Sequence, residues 1–449
     1  MKKWQHDLVL RTVKLLNIIL MTGSFALCWF FYYAPKIDSP FYRNGNYLVL
    51  ALFFVLYCTF GNVYEGFCIS MKQISEVSYS QSLAALVSDG MMFIIIWLLT
   101  KDFPRLMPMF VILCLQIVIS ILWAKLAHDW YYRIFPPKAT AVVYDVRHGL
   151  QKLVEEYGLA KKYDVQRTLP VAECLEDLSV LQNMEVVFIS GVHSHDRNII
   201  LKYCIANNIE VLVIPRVGDV IMSGAKSIHM FHLPMLQVRR YAATPEYLFI
   251  KRLMDIVISL LALVITSPFM LLVAIAIKAY DGGPIFYSQV RLTKDNKIFR
   301  IHKFRSMRTD AEKDGVARLS TGDSDNRITP VGKIIRKLRL DELPQLWDIL
   351  CGDLSVVGPR PERPEIAEQY MEEMPEFQLR LQAKAGLTGY AQVYGKYNTT
   401  PYDKLQMDLM YIAHPSIIQD LKIMLATIKI LFMAESTEGV AEGQTTASK

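Results

Sequence analysis

Long apolar runs without charges dominate the first 125 residues of the chain. Four runs have nearly the length that a helix needs to cross a bilayer, about 20 apolar residues. They cover residues 15–34, 47–64, about 82–100 and 106–124. Only the third contains an acid, Asp89, which we interpret as a buried structural group. The pattern predicts a membrane protein whose residues 1–135 form a four-helix transmembrane bundle.

Basic residues flank the first and the last of these helices and indicate their orientation. They are Lys2, Lys3, Arg11, Lys14, Lys125, Arg133 and Lys138. Loops rich in Lys and Arg stay on the cytoplasmic side of a membrane. Both ends of the bundle are therefore expected to face the cytoplasm.

Short β-branched runs then alternate with polar helical ones, a pattern typical of a parallel sheet. Strands are predicted at 141–146, 185–190 and 210–215, and helices near 148–158 and 195–207. The result is a small cytoplasmic Rossmann-like α/β domain over residues 136–245. Its first strand lacks the glycine-rich turn of a dinucleotide site, so we expect a scaffolding role.

A fifth apolar run, residues 256–277, has basic residues on both sides. A single crossing would place one basic flank outside the cytoplasm, against the positive-inside rule. Pro268 lies near the middle after Ser267, and a proline breaks or kinks a helix. We therefore predict a re-entrant helix-break-helix hairpin at about 253–278, with Ser267 satisfying a freed backbone group. A fifth full crossing is the alternative.

Composition narrows the class of protein. Hydrophobic residues make up 52% of the 449 residues and the formal net charge is only +6. Nucleic-acid binders concentrate basic residues on one stripe, so no nucleic-acid partner is expected. The seven cysteines form no C-x-x-C pair, which argues against a disulfide framework or a thiolate zinc site.

The charged segment 279–414 contains seven short motifs. They are DGGP (281–284), QVR (289–291), KFRSM (303–307), DAE (310–312), DELPQ (341–345), GPRP (358–361) and GLTG (386–389). In this order they resemble the bacterial sugar transferases, the polyprenyl-phosphate hexose-1-phosphate or monotopic phosphoglycosyl transferases. The resemblance covers roughly 247–434. One departure is RLTKDNK (291–297), where the family usually has R-x-G-x-x-G.

The whole chain resembles the large form of that family, and the resemblance implies an activity. The chain would transfer a sugar 1-phosphate from a UDP-sugar to undecaprenyl phosphate at the cytoplasmic membrane face, releasing UMP. This reaction is the first step of exopolysaccharide, capsule or O-antigen assembly. Its mechanism would have two steps, through a phospho-sugar aspartyl enzyme. The alternatives are a non-catalytic membrane scaffold or nucleotide sensor, and a five-span transferase without a covalent intermediate.

The resemblance also implies the catalytic residues. Asp310 is the candidate nucleophile and Glu312 the candidate Mg²⁺ ligand, although the two roles can be exchanged between these carboxylates. Magnesium suits carboxylate and diphosphate oxygens. Lys303 and Arg305 alternate with Phe304, so on a strand they share one face, and both are expected to meet phosphate or carboxylate groups.

Other residues are expected to bind substrate. They are Arg252, Lys278, Gln289, Arg291, Asp341, Glu342, Gln345, Arg360 and Gln392. Arg252 and Lys278 lie at the mouth of the predicted hairpin, where they would meet lipid phosphates. Arg360 lies between two prolines, which fix the backbone around it. Asp341 and Glu342 either orient cations or a metal, or cap a helix that starts there.

The remaining segments complete the predicted architecture. Residues 246–434 form a C-terminal α/β catalytic domain that contains the hairpin. An apolar helix at 416–434, interrupted by a few charges, is expected to lie in the membrane interface. The polar tail 435–449 is predicted to be disordered. An α/β domain without a ligand site, attached to membrane helices, suggests a homodimer.

Overall fold

The computed structural model describes residues 3–38, 41, 44–147, 149–241, 243–309, 311, 325–395 and 399–431. The chain divides into two compact units, Met1–Ile214 and Pro215–Lys449. The boundary precedes residue 245, so the segment 215–245, predicted within the Rossmann-like domain, belongs to the second unit.

Four long helices begin the first unit. They are α1 (Lys3–Cys28), α2 (Gly45–Val63), α3 (Ile74–Thr100) and α4 (Met107–Ile134). Each contacts two others: α1 packs on α2 and α4, and α3 packs on α2 and α4. All four are long and apolar enough to cross a membrane, and many of their large apolar side chains are exposed. A hydrocarbon environment is the one in which such exposure is favourable.

A parallel four-stranded sheet follows in the first unit. Its strands are β1 (Lys138–Tyr144), β2 (Tyr163–Pro170), β3 (Val186–Ser190) and β4 (Glu210–Val213). The helices between them are α5 (Leu150–Glu156), α6 (Val171–Glu176) and α7 (Ser194–Ala206). The strand order is β2-β1-β3-β4, with every pair parallel. Ala141 and Val143 of β1 are fully buried beside Val187 and Ile189 of β3, as the β-branched runs predict.

The second unit opens with a short helix, a hairpin and a very long helix. These are α8 (Val217–Ser223), β5 (Lys226–Met230), β6 (Leu233–Gln237) and α9 (Pro245–Asp281). The antiparallel strands β7 (Phe286–Leu292) and β8 (Ile298–Phe304) come next. The rest comprises α10 (Pro330–Lys337), α11 (Gln345–Cys351), β9 (Ser355–Val357), α12 (Pro364–Glu373), β10 (Gly386–Thr388), α13 (Tyr390–Tyr394), α14 (Pro401–Ala413) and α15 (Ile417–Leu431).

One hydrophobic core joins most of these elements. Phe299 and Ile301 of β8 contribute to it, and so does Ile349 of α11. Val220 of α8 is buried in the same cluster, because α8 packs on α14. The segment before α9 is thus part of the second unit's core. The predicted interfacial helix at 416–434 corresponds to α15, whose Ile423 is also buried there.

The predicted helix break at Ser267-Pro268 is absent, because α9 stays helical through Pro268. A proline has no N–H to donate to the carbonyl four residues earlier, here that of Val264. The Ser267 hydroxyl donates to this same Val264 oxygen at 2.8 Å. Ser267 therefore satisfies the freed group, as predicted, but in doing so it preserves the helix.

Candidate active site

A small pocket in the second unit brings together four of the predicted site residues. Its lining consists of Ile301, Lys303, Glu342, Gln345, Arg360, Pro361, Gly386 and Leu387. Lys303 and Ile301 both point into it from β8, because residues two apart share a strand face. The pocket is therefore formed by three separate motifs, KFRSM, DELPQ and GPRP, together with the start of GLTG.

A shared carboxylate oxygen holds two cations at this pocket. Lys303 Nζ donates to Glu342 Oε1 at 2.8 Å, and an Arg360 amino group donates to the same oxygen at 3.1 Å. The side chain of Glu342 is only 14% exposed, whereas that of Arg360 is 45% exposed. Two cations thus meet one anion, and the Arg360 guanidinium remains accessible from solvent.

The two neighbouring acids respond oppositely to this environment. Burial by itself would raise the pKa of Glu342, but Lys303 and Arg360 outweigh it, so the pKa lies below its ordinary range. Burial raises the pKa of Asp341, and the adjacent Glu342 charge adds to the rise. Glu342 is therefore the fixed anion of the cluster.

Gln345 supplies an unpaired donor to the pocket. Its side chain is at the first residue of α11 and is 3% exposed, yet its Nε2 has no hydrogen-bond partner among the described residues. A buried amide without a partner costs free energy, so it favours a ligand that accepts from it. Gln392 is similar: its Nε2 donates to the Leu387 carbonyl, while its Oε1 is buried without a described partner.

Close backbone contacts explain the glycines of GPRP and GLTG. A Cβ on Gly386 would be 2.1 Å from the Gly358 nitrogen, and one on Gly389 would be 2.2 Å from the Gly358 oxygen. No side chain fits at such a distance. The glycines therefore allow the two motifs to cross.

Three predicted cationic residues are outside the pocket lining and are bound elsewhere. Arg305 pairs with Asp281 through both terminal nitrogens and donates to the Pro284 carbonyl at 2.7 Å. Arg252 donates to the Ile349 and Leu350 carbonyls at 2.6 and 2.8 Å. It thereby caps the C-terminal end of α11, where carbonyls lack helical donors. Lys278 donates to the Gly282 carbonyl at 2.7 Å, and its side chain is exposed.

Gln289 and Arg291 support the Arg360 loop from β7. Arg291 donates to the Gln289 side-chain oxygen at 2.6 Å and to the Pro361 carbonyl at 3.1 Å. Burial lowers the pKa of Arg291 to about 10. Neither residue lines the pocket, so the structure places both of them behind the loop that carries Arg360.

Asp310 and Glu312 lie outside the described residues, but the ends of their segment are fixed. Met307 bridges Ile328, and the Arg308 amide donates to the Arg327 carbonyl at 2.9 Å. The Thr329 amide donates to the Ser306 carbonyl at 3.0 Å. The segment therefore leaves directly from the end of β8, the strand that carries Lys303.

The described residues contain no group of three or more His, Cys, Asp or Glu side chains arranged to hold a metal ion. Glu342 is the acid that lines the pocket, and its Oε1 already accepts from Lys303 and Arg360.

The DELPQ helix starts later than the sequence suggested. Leu340–Glu342 forms a 3₁₀ turn, and α11 begins at Gln345 with Pro344 as its N-cap. Asp341 therefore does not cap α11. Asp348 of α11 accepts from the His302 backbone amide at 2.9 Å and contacts His302 Nδ1 at 2.6 Å.

Sequence reasoning missed a buried charge cluster behind the pocket. Arg380 is 3% exposed and contacts Asp408, which is 1% exposed, and Glu362. These residues belong to three different segments, so no local spacing signals their contact. The available sequence signal is a charged residue within an otherwise apolar stretch. Such a residue is rarely buried without a partner, so it indicates a buried ion pair.

Comparison with known proteins assigns a family to the segment that forms this pocket. A family model described as bacterial sugar transferase matches residues 246–434. The exopolysaccharide production protein PSS of Rhizobium leguminosarum bv. phaseoli is 39% identical over 201 residues, which are 43% of this chain and 98% of that protein.

Two longer relatives carry names that state a reaction. The UDP-N-acetylgalactosamine-undecaprenyl-phosphate N-acetylgalactosaminephosphotransferase of Aeromonas hydrophila is 38% identical over 234 residues, 51% of this chain and 54% of that protein. The UDP-glucose:undecaprenyl-phosphate glucose-1-phosphate transferase of Klebsiella pneumoniae is 41% identical over 183 residues, 40% of this chain and 39% of that protein. The similarity thus spans about half the length of these relatives or less.

Proposed function

Because the chain belongs to the bacterial sugar transferase family, we propose that it is an undecaprenyl-phosphate sugar phosphotransferase. It transfers a sugar 1-phosphate from a UDP-sugar to undecaprenyl phosphate, releases UMP and forms undecaprenyl-diphosphate-sugar. This reaction begins exopolysaccharide, capsule or O-antigen assembly. The names of the relatives support the substrate classes, and they include both N-acetylgalactosamine and glucose donors.

The pocket is the observation that carries this proposal. It presents Lys303 and the accessible guanidinium of Arg360 beside the unpaired donor of Gln345. Transfer of a phosphoryl group needs cations around its oxygens, and Arg offers a planar fork that matches them. A diphosphate entering here would compete with Glu342 for both cations. The amide of Gln345 would then donate to an oxygen of the same ligand.

The proposed chemistry has two displacements at one phosphorus atom. A carboxylate oxygen of Asp310 attacks the phosphorus that bears the sugar, and the bond to the UMP phosphate breaks. An oxygen of undecaprenyl phosphate then attacks the same phosphorus and releases the Asp310 carboxylate. We propose that Glu312 and diphosphate oxygens hold Mg²⁺, which would reduce the repulsion between the anionic groups. Lys303 and Arg360 hold the diphosphate in place.

We further propose that α9, although helical throughout, bends at Pro268 and is re-entrant, with both ends on the cytoplasmic side. Near its start, Asp255 accepts from Ser355 Oγ at 2.9 Å and from the Val356 amide at 3.0 Å. Near its end, Val273 and Ile277 pack with Phe304 of β8. Both ends thus contact the same α/β domain. In a full crossing, the domain that both ends contact would have to lie on both sides of about 30 Å of hydrocarbon.

The middle of α9 supports insertion into one leaflet. Val264, Ile265, Phe269 and Leu271 are each more than half exposed between the two packed ends. Such an apolar patch requires lipid or another apolar cover. Helices α1 to α4 are proposed to cross the inner membrane as a bundle whose basic ends face the cytoplasm, following the positive-inside rule. The catalytic site would then lie at the headgroup level, where the lipid phosphate is.

We also propose that the chain forms a homodimer. The hairpin β5–β6 pairs with no other strand among those described, and Phe231, Leu233 and Leu236 on it are each more than half exposed. Unpaired apolar edges favour association with a second chain. Cross-linking in membranes and mass measurement of the purified protein test this, with Phe231→Asp as the variant expected to yield monomers.

The activity is tested with purified protein, undecaprenyl phosphate and a panel of UDP-sugars, by following UMP release. We expect one or a few UDP-sugars to support UMP release. Continued turnover should require the lipid acceptor. Asp310→Ala should abolish release, and near-wild-type release by this variant would refute the nucleophile. Chelation of Mg²⁺ should stop the reaction, and re-addition should restore it.

A further inference from the structure

The loop that carries Arg360 is held at four successive carbonyls. Their donors come from four different positions of the domain. The Pro359 oxygen accepts from the Gly386 amide at 2.9 Å, that of Arg360 from Arg380 at 2.9 Å, that of Pro361 from Arg291 at 3.1 Å and that of Glu362 from the Leu292 amide at 3.0 Å. Each of these carbonyls thus has a defined partner, and together the four hydrogen bonds fix the direction in which the loop presents the Arg360 side chain.

Two of the four donors are arginine side chains, and Arg380, which is 3% exposed, is more deeply buried than Arg291. The Nε and one amino group of Arg380 lie 2.9 and 2.7 Å from the same Asp408 oxygen. The other amino group lies 3.3 Å from a Glu362 oxygen. Burying a guanidinium is costly unless its charge and its donors are all matched. Here two carboxylates balance the charge, and the Arg360 carbonyl takes one further donor.

Arg380 has no access to a ligand in the pocket. Its side chain is 3% exposed and does not line the pocket. Its contact with the pocket runs through one carbonyl, that of Arg360. The acceptors around it lie in different directions, and only a planar fork with five donors reaches all three. A lysine would keep the charge but could not maintain these three contacts together.

We propose that Arg380 is a positioning residue for Arg360. It joins α14, through Asp408, to the GPRP loop, and so holds the Arg360 guanidinium beside Lys303 for the donor diphosphate. This inference rests on the proposed function, because it concerns how that same site binds its UDP-sugar. Arg380 itself touches neither substrate, so its effect must pass through Arg360.

The test is a double-mutant cycle in the full-length protein, with UMP release as the measured activity. Arg380→Lys should raise KM for the UDP-sugar and lower kcat/KM by roughly ten-fold, the loss that accompanies one misplaced charge-assisted hydrogen bond. In an Arg360→Ala background, Arg380→Lys should change kcat/KM by less than about three-fold. If the losses of kcat/KM in the two single variants multiply in the double variant, the inference is overturned.

A matched control separates positioning from general destabilisation. Asp420→Asn breaks another buried ion pair of the same unit, with Lys251 at 3.0 Å, away from the pocket lining. It should lower the unfolding temperature but leave KM for the UDP-sugar unchanged. If it raises KM as much as Arg380→Lys does, the positioning role is refuted.

A second variant covers the case in which Arg380→Lys does not fold. Glu362→Gln removes the negative charge of one partner of Arg380 and leaves Asp408 in place, so it should raise KM in the same direction by less; an unchanged KM contradicts the inference. A wild-type protein that releases no UMP from any UDP-sugar refutes the proposed function and the positioning role with it. If the wild type is active and Arg380→Lys has the same KM and kcat/KM, only the positioning role is refuted.

Discussion

At the scale of single residues, the pocket depends on Glu342 as an internal anion. It accepts from Lys303 and Arg360 through one oxygen, and no other carboxylate lines the pocket among the described residues. Without it, two cations would face each other in a largely buried place. Glu342 therefore holds the cations in position until a diphosphate replaces its contacts.

Substituting Glu342 should reveal this role through the pH dependence of stability. Glu342→Gln should lower the free energy of unfolding by about 2 kcal/mol near neutral pH, the scale of a hydrogen bond to a charged group. The native pKa of Glu342 is depressed. Its stabilisation is thus complete above the unfolded-state pKa of about 4.3 and is lost as the pH falls through the native pKa.

The measurement compares unfolding temperatures of the wild type and Glu342→Gln from pH 8 to pH 3. A constant difference down to about pH 4.3, followed by convergence at lower pH, is expected. A difference that disappears between pH 7 and pH 5 would show that Glu342 titrates there, against the depressed pKa.

Gly386 is a residue-scale test of the backbone crossing. Gly386→Ala would place its Cβ 2.1 Å from the Gly358 nitrogen, so the two motifs must separate. We expect a loss of stability of about 3 kcal/mol or more, and a loss of activity, because the Arg360 loop moves. Gly218→Ala in α8 is the matched control, since nothing lies within 4 Å of its added Cβ. Equal unfolding temperatures for the two variants would contradict the crossing.

At the scale of elements, sequence patterns were most informative where burial is strong. The runs at 141–146, 185–190 and 210–215 correspond to β1, β3 and β4. The edge strand β2 was missed, because its apolar face of Tyr163, Val165 and Leu169 is interrupted by Arg167 and most of its residues are exposed. Periodicity reports burial, and β2 has little of it.

The helix α9 shows why a proline alone is a weak signal of a break. The missing donor of Pro268 is replaced by the hydroxyl of Ser267 at the Val264 carbonyl, so the local cost is reduced. Likewise, Arg252 near the start of α9 was predicted to meet lipid phosphates, but it caps the C-terminal end of α11. Partners distant in sequence decide such cases, and a single sequence does not reveal them.

The course of α9 is testable by labelling from each side of the membrane. In a variant without the seven native cysteines, Leu253→Cys and Tyr280→Cys should both react only with reagent that reaches the cytoplasm. Both side chains are about half exposed in the structure. Lys101→Cys, between α3 and α4, is the control expected to react from the outside. Reaction of positions 253 and 280 from opposite sides would establish a fifth crossing.

At the scale of the whole molecule, the two units predict a separable activity. The second unit has its own core and contains the matched segment 246–434. A fragment of residues 215–449 should therefore fold in membranes and release UMP at a rate within about ten-fold of the full chain. Absence of activity in a folded fragment would show that the first unit takes part in catalysis.

A shorter fragment provides the matched comparison. Residues 246–449 contain the whole family match but lack α8, whose Val220 is buried in the core of the second unit. Exposing that core should lower the unfolding temperature relative to the 215–449 fragment. Equal stability of the two fragments would show that α8 adds nothing to the fold.

The general architecture could be predicted from the sequence, and the detailed site only in part. Lys303, Glu342, Gln345 and Arg360 do converge at one pocket. Arg305 does not line it, because Asp281 at the end of α9 engages its guanidinium. Asp281 and Arg305 are 24 positions apart, so strand alternation alone gave no hint of their pairing.

The transfer of the sugar-bearing phosphate is the central claim, and one measurement tests it most directly. The full-length protein is incubated with undecaprenyl phosphate and a UDP-sugar that carries a radioactive phosphorus next to the sugar. The account predicts that the label moves into the organic phase as a lipid-linked diphosphate sugar while unlabelled UMP accumulates in equal amount. Label that stays in the aqueous phase with every UDP-sugar of the panel, or that appears in the released nucleotide, would contradict it.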